Sequence, residues 1–181
     1  MEIYNEEIKD LLAPPSNKKP VKCDLKEDPN KGVFVKNLTD VMVKDEDELA
    51  KVLDRGVALR TTAETKMNEA SSRSHSIFTI VVEMSSKDPD TGKESIKVGK
   101  LNLVDLAGSE QVKQSRVQGS QFREAARINY SLHILGKCID ALVKGKRHVP
   151  YYECTLTTLL REGCVLWSWI MGEAASSAFF L

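Results

Sequence analysis

The sequence predicts a protein that mixes α-helices and β-strands, and three observations carry that prediction. Two β-rich runs, "SIFTIVVEM" (Ser76 to Met84) and "IKVGKLNLVDL" (Ile96 to Leu106), lie on either side of "SKDPDTGKE". Pro, Asp and Gly in that connector suit a tight turn, so an antiparallel hairpin is expected. Farther on, Ile128, Leu132, Leu135, Ile139 and Leu142 recur at helical spacing inside one run from Phe122 to Val143. The chain has 181 residues, 41% hydrophobic and 29% charged, enough for one soluble domain with a core.

The remaining elements follow in order. Ile3 to Leu12 is expected to be a strand end running into a short helix, closed by Pro14, Pro15 and Pro20, which break regular structure. "GVFVKNLTDVMV" (Gly32 to Val43) is rich in β-branched residues and predicts one or two short strands. A helix is expected after Lys44, because Asp45 can cap it, Glu48 completes a capping-box-like pair, and Leu49, Val52, Leu53 and Val57 supply an apolar face. No internal repeat is visible. From Gly163 to Leu181 the only charged residue is Glu173, and both tryptophans, Trp167 and Trp169, fall there. Two readings of that stretch stand side by side: a buried terminal helix or strand, and a sequence never selected to follow this domain.

A formal net charge of zero does not point to nucleic acid, but the charge is unevenly spread. Lys113 to Arg147 carries eight Lys and Arg against Glu124 and Asp140, which leaves +6 and calls for an acidic neighbour or partner. Cys23, Cys138, Cys154 and Cys164 show no metal-ligand spacing, and the acidic, amphipathic start "MEIYNEEIKDLL" is unlike a signal peptide. Reduced thiols in an intracellular protein are therefore expected. No apolar run reaches the roughly 18 residues of a membrane span.

Two stretches carry chemistry. "MNEASSRSHSIF" (Met67 to Phe78) sets Asn68, Ser71, Ser72 and Arg73 just before a strand. Such groups are costly to bury unpaired and suit phosphate oxygens and the waters around Mg²⁺. "LNLVDLAGSE" (Leu101 to Glu110) ends an apolar strand in Asp105 and Gly108. A carboxylate there can hold a metal-bound water, and a glycine lets its backbone N–H approach a phosphate. Each stretch alone is also compatible with a solvated loop or a strand-ending turn.

Taken together, "NEASSRSHS", the hairpin, "LVDLAGSE", "EAARINYSLHILGKCIDAL" and "HVPY" closely resemble the kinesin motor domain in order and spacing, from about Glu2 to Leu160. The resemblance implies an α/β fold of the P-loop NTPase type, here an incomplete motor core with a mixed sheet and flanking helices. It implies a microtubule-based motor that hydrolyses ATP with Mg²⁺ and is located in the cytoplasm on the microtubule cytoskeleton, with neither nucleic acid nor membrane as partner. Residues Asn68 to His75 would be switch I, with Ser71 and Ser72 at the γ-phosphate, the attacking water and Mg²⁺. Asp105 to Glu110 would be switch II, with Asp105 holding the Mg²⁺ water shell and Gly108 sensing the γ-phosphate. Arg73 and Glu110 would pair to close the switches. The basic stretch would face tubulin, through Lys113, Arg116, Lys144, Lys146, Arg147 and His148.

The resemblance has gaps. The family's phosphate loop, G-x-x-x-x-G-K-S/T, is expected upstream of the stretch at which this chain begins. The four Gly-Lys pairs present, at Gly92, Gly99, Gly136 and Gly145, are preceded five residues earlier by Lys87, Glu94, Ser131 and Asp140, so none fits the pattern. Tyr152, Thr155 and Thr158 stand where the family has basic residues, which puts part of the tubulin contact in question. The expectation is a partial motor domain over 1–162, a divergent tail over 163–181, and no catalysis by this chain alone. The alternatives are a non-catalytic microtubule-binding module and an incomplete gene product with no stable fold.

Overall fold

The computed structural model describes residues 1–14, 22–29, 32–64, 73–89, 91–109 and 120–163, with the side chains of 61–64 and 120–125 excluded. Asn68, Ser71, Ser72, Glu110, Lys113, Arg116 and the tail from Cys164 onward lie outside the described residues. The chain opens with strands β1 (Glu2–Tyr4) and β2 (Glu7–Lys9). Tyr4 pairs with Glu7, so only Asn5 and Glu6 form the turn, at φ 53° and 67°. Two consecutive positive φ values define the type I′ hairpin, whose twist suits the flanking strands. This corrects the expectation of a short helix here. Asn adopts positive φ readily; Glu does not, and Glu6 is held from far along the chain. Its carboxylate accepts the Thr155 N–H at 2.8 Å and its carbonyl accepts the Thr155 hydroxyl at 3.2 Å.

β1 then pairs with β5 (His75–Lys87), and β5 with β6 (Glu94–Asp105), to give a four-stranded sheet in the order β2-β1-β5-β6. Every one of these pairings is antiparallel. The expected β5–β6 hairpin is present and longer than predicted, running from Ser76↔Asp105 to Lys87↔Glu94. Its turn is closed by Gly92, at φ 66°, whose N–H reaches the Asp88 carbonyl at 2.9 Å.

A second, two-stranded sheet pairs β3 (Asp24–Asp28) with β4 (Gly32–Lys36). β4 fulfils the start of the predicted strand region, but residues 37–43 form no strand. Gly32 enters β4 at φ 68°, and a Cβ added there would overlap Glu162 Oε1. That same Glu162 oxygen accepts the Val33 N–H at 2.8 Å. Gly32→Ala is therefore expected to cost about 1–3 kcal/mol, from backbone strain and the displaced carboxylate. Urea unfolding checks it; a midpoint equal to that of the unaltered chain would show that Glu162 is not a tether.

Helix α1 (Glu46–Glu64) starts as predicted, with the Glu48 N–H donating to Asp45 Oδ1 at 2.8 Å. The return bond goes one residue further back than a standard capping box, from the Lys44 N–H to Glu48 Oε2 at 3.0 Å. Its expected apolar face is only partly covered: Leu49 and Val52 are half-buried, whereas Leu53 and Val57 are exposed. Helix α2 (Ser120–Val143) confirms the long helix, but with the buried stripe rotated from the predicted one. Ile128, Ser131, Ile134, Cys138 and Ala141 are buried, while Ile139 is 50% exposed. A 3₁₀ turn over Tyr151–Glu153 leads into helical residues 155–163, termed α3.

The core gathers Ile3, Val33, Ile77, Ile134, Cys138, Tyr151, Cys154, Leu156 and Leu159, so α2 and α3 cover one face of the sheet. Ile77 and Val104 form a cross-strand pair on that face, with Val104 packed against the cluster. On the opposite face lie the pairs Phe78↔Leu103, Ile80↔Leu101 and Val82↔Gly99, where Val82, Leu101 and Leu103 are each about half exposed. Thr155 and Thr158 turn inward: Thr158 is buried and its hydroxyl bonds the Tyr151 and Cys154 carbonyls. Tyr152 meets Glu27 and Arg161 instead, and Arg161 also pairs with Glu27 at 2.7 Å. Cys23, Cys138 and Cys154 are buried thiols, and burial pushes those of Cys23 and Cys154 above their ordinary range.

Candidate nucleotide-switch site

The two motif stretches meet at one end of the sheet because of the β5–β6 register. Ser76 lies directly opposite Asp105, so the residues preceding β5 and those following β6 emerge side by side. Asp105 is the last residue of β6, and its side chain is 70% exposed. Gly108 follows in an exposed, irregular segment. Arg73 precedes β5 half-buried and lines a small pocket with Glu6, His75, Arg127 and Ser131.

The residue that organises this end was not singled out by the sequence. Arg60, in the last turns of α1, reaches Asp105 Oδ2 at 2.6 Å and the Ser76 hydroxyl at 3.1 Å. It also donates to the Ser74 carbonyl at 3.4 Å and lies 3.9 Å from Glu2 Oε1. Glu2 is buried and accepts the Ser74 hydroxyl at 2.6 Å. A buried carboxylate without such partners would be strongly unfavourable. Arg60 thus ties α1 to β1, β5 and the end of β6. A charged residue amid a helix's polar positions gives no sequence signal of this kind.

His75 supplies a second junction. It is 3% exposed. Its Nδ1 accepts the Ala107 N–H at 3.0 Å, and its Nε2 lies 2.7 Å from the Ser131 hydroxyl on α2. Ser131 in turn donates to the Ile128 carbonyl at 2.8 Å. A signal for Ser131 did exist: a serine between Ile128 and Ile134 on an apolar stripe must find a partner when buried.

Burial holds the His75 imidazole below its ordinary pKa, against the opposing influence of Glu6 and Asp105. Because the folded value is depressed, the unfolded chain takes up the proton first. The contribution to stability is complete above the unfolded value of about 6.5 and declines as pH falls from there to the folded value. The expected result is a urea midpoint that drops between pH 7.5 and 5.5, with a shallower drop in His75→Gln. Parallel profiles for the two proteins would remove His75 as the source.

The basic cluster occupies the far end of α2. Lys144, Lys146, Arg147 and His148 are exposed. Asp140 sits among them, 2.5 Å from Lys144 and 3.2 Å from Lys146, and those two ammonium groups hold its carboxyl below the usual range.

Among the described residues no cluster of three or more His, Cys, Asp or Glu could hold a metal ion. The exposed Asp105 carboxylate has the donor chemistry that a hydrated Mg²⁺ takes beside a nucleotide's phosphates, with its Oδ2 already engaged by Arg60 at 2.6 Å. No helix among the described residues is long and apolar enough to cross a membrane.

At this end of the sheet the described residues Arg73 to His75 lie beside Asp105 to Gly108. The kinesin motor domain family matches residues 1–165, and the chain belongs to that family. It is 48% identical over 169 residues to "Kinesin-like protein KIN-5A" of Arabidopsis thaliana, and 46% over 164 residues to mouse "Kinesin-like protein KIF11". Each match covers 90% of this chain but only 16% and 15% of the relative. Among solved structures, a fast kinesin superposes with a TM-score of 0.72 at 46% identity, over 90% of this chain and 44% of that one. A KIF14 dimer solved with AMP-PNP in complex with a microtubule gives 0.73 at 39% identity, over 89% and 46%. The chain thus spans less than half of each of these two solved chains.

Proposed function

We propose that this chain is a kinesin motor fragment that binds microtubules through the C-terminal end of α2 and the segment after it, and that it does not turn over ATP by itself. The observation that carries this reading is the exposed Lys144–His148 cluster at the end of α2, a helix whose Ser131 contacts the same His75 that holds the segment after Asp105. Tubulin's acidic surface is the complementary partner. Lys113 and Arg116 extend the same basic stretch in sequence.

In the nucleotide-handling part of this reading, which rests on family resemblance, Asn68, Ser71 and Ser72 would contact phosphate and the Mg²⁺ shell. Asp105 would orient a metal-bound water, Gly108 would offer its N–H to the γ-phosphate, and Arg73 would pair with Glu110. Mg²⁺ brought in with the nucleotide supplies charge neutralisation at the phosphates. The expected lack of turnover rests on the sequence: no G-x-x-x-x-G-K-S/T pattern occurs in it. Within this proposal the motor portion spans 1–162, 163–181 is a divergent apolar tail, and the setting is the cytoplasmic microtubule array.

Co-sedimentation with microtubules and calorimetry with Mg-ATP test the two halves of the proposal separately. Binding is expected at about 50 mM salt and should fall steeply by about 0.3 M, where screening confines such contacts to a few ångströms. No pelleting at low salt would overturn the microtubule half. A low-micromolar Kd for Mg-ATP with phosphate release would overturn the other.

A further inference from the structure

The cover over one face of the β5–β6 hairpin stops partway along it. Ile77 and Val104 lie against the core, and the next pair on that face, Thr79 and Asn102, is half-buried and joined side chain to side chain at 2.8 Å. Side chains alternate between faces along a strand, so the three following pairs, Val81↔Lys100, Glu83↔Val98 and Ser85↔Ile96, lie on that same face. Here Val81, Val98 and Ile96 are 55%, 62% and 69% exposed. The described cover ends at the first of these pairs. Glu162, near the end of α3, lies 3.5 Å from Lys100 through Oε2 and accepts the Val33 N–H at 2.8 Å through Oε1. Those two contacts fix both the point and the side of the sheet from which the chain leaves α3 at Gly163.

Residues 164–181 follow, and their first stretch, "CVLWSWIM" (Cys164 to Met171), holds no charge. From Lys100 to Ile96 is about 14 Å of strand. The run from Cys164 to Met171 reaches about 25 Å when extended. Burying apolar side chains against an apolar sheet face is favourable, and the short tether gives this segment an advantage over any separate molecule. The charge of Lys100 at the border is already met by Glu162. We propose that residues 164–171 fold back over Val81, Val98 and Ile96 and complete the cover that α3 begins. The opposite face, with Val82, Leu101 and Leu103, lies across the sheet from the exit point, so the segment must round the β6 edge to reach it.

Trp167 and Trp169 are the only tryptophans of the chain, so indole fluorescence reads this segment alone. In the unaltered chain the emission should lie to the blue of that in urea, with several-fold weaker acrylamide quenching, independently of protein concentration. Emission equal to that in urea overturns the proposal. A blue shift lost on dilution means that a second copy supplies the contact, and overturns it too. Val98→Lys and Ile96→Lys, both at exposed positions, should each move the emission towards the urea value with circular dichroism unchanged. Leu101→Lys, on the opposite face, should not. The reverse pattern, an equal response to all three, or no response to any, overturns the proposal. If a substituted chain fails to fold, the unaltered chain still decides by NMR: nuclear Overhauser contacts are expected between the indoles and the methyl groups of Val81, Ile96 or Val98, and their absence overturns the proposal.

Discussion

Ile134→Ala is expected to cost about 2–5 kcal/mol, while Ile139→Ala, five residues along the same helix, should cost less than about 1 kcal/mol. Both are isoleucines on α2 and both remove the same atoms. Ile134 is 0% exposed within the core cluster, whereas Ile139 is 50% exposed. The difference is a cavity: truncating Ile134 leaves a void among Ile77, Leu156 and their neighbours, while truncating Ile139 opens only towards solvent. Small domains have about 5–15 kcal/mol of stability in total, so the Ile134 variant should lose much or all of its cooperative transition. Urea unfolding followed by circular dichroism reads both. If the two substitutions cost the same, α2 is rotated from the orientation described.

Reversing Lys144, Lys146 and Arg147 together to glutamate should abolish microtubule co-sedimentation without loss of folding, since all three are exposed. The change replaces three positive with three negative charges on a surface that the proposed function sets against acidic tubulin. Asp140 supplies the control in the opposite direction. It binds both lysines, at 2.5 and 3.2 Å, and so withholds part of their charge from any partner. Asp140→Asn should tighten microtubule binding several-fold at low salt, with the gain shrinking as salt rises. A triple reversal that still pellets, or weaker binding by the Asp140→Asn chain, would each show that this end of α2 is not the contact.

Much of the sheet end could be read in advance, and the reasons differ from element to element. The β5–β6 hairpin was legible because β-branched runs flank a Pro-Asp-Gly connector, which is a local signal. β3, "DLKED", carries four charged residues and pairs only because β4 lies beside it. The β1–β2 turn was not legible because a glutamate at positive φ depends on Thr155, 149 residues away. The orientation of α2 was misread for a related reason. Counting apolar residues favoured Leu132 and Ile139, but His75 draws Ser131 into the core and turns the helix with it. Asp105 and Gly108 were proposed from the motif alone. Arg60, Glu2 and Ala107 were not, because each acts through a partner brought in by tertiary structure.

The buried thiols give the molecule its own record of its internal motions. Cys138 lies on α2, Cys154 at the entrance to α3, and Cys23 forms an isolated bridge with Ile8 at the edge of the four-stranded sheet. Alkylation requires a thiolate that has met solvent, and for Cys23 and Cys154 burial disfavours the thiolate as well as concealing it. Each labelling rate therefore measures how often one part of the structure opens, with no engineered probe. Different rates at Cys23 and Cys138 would mark the sheet edge and the helical layer as separately opening units; a common rate would mean that the two layers come apart only as one.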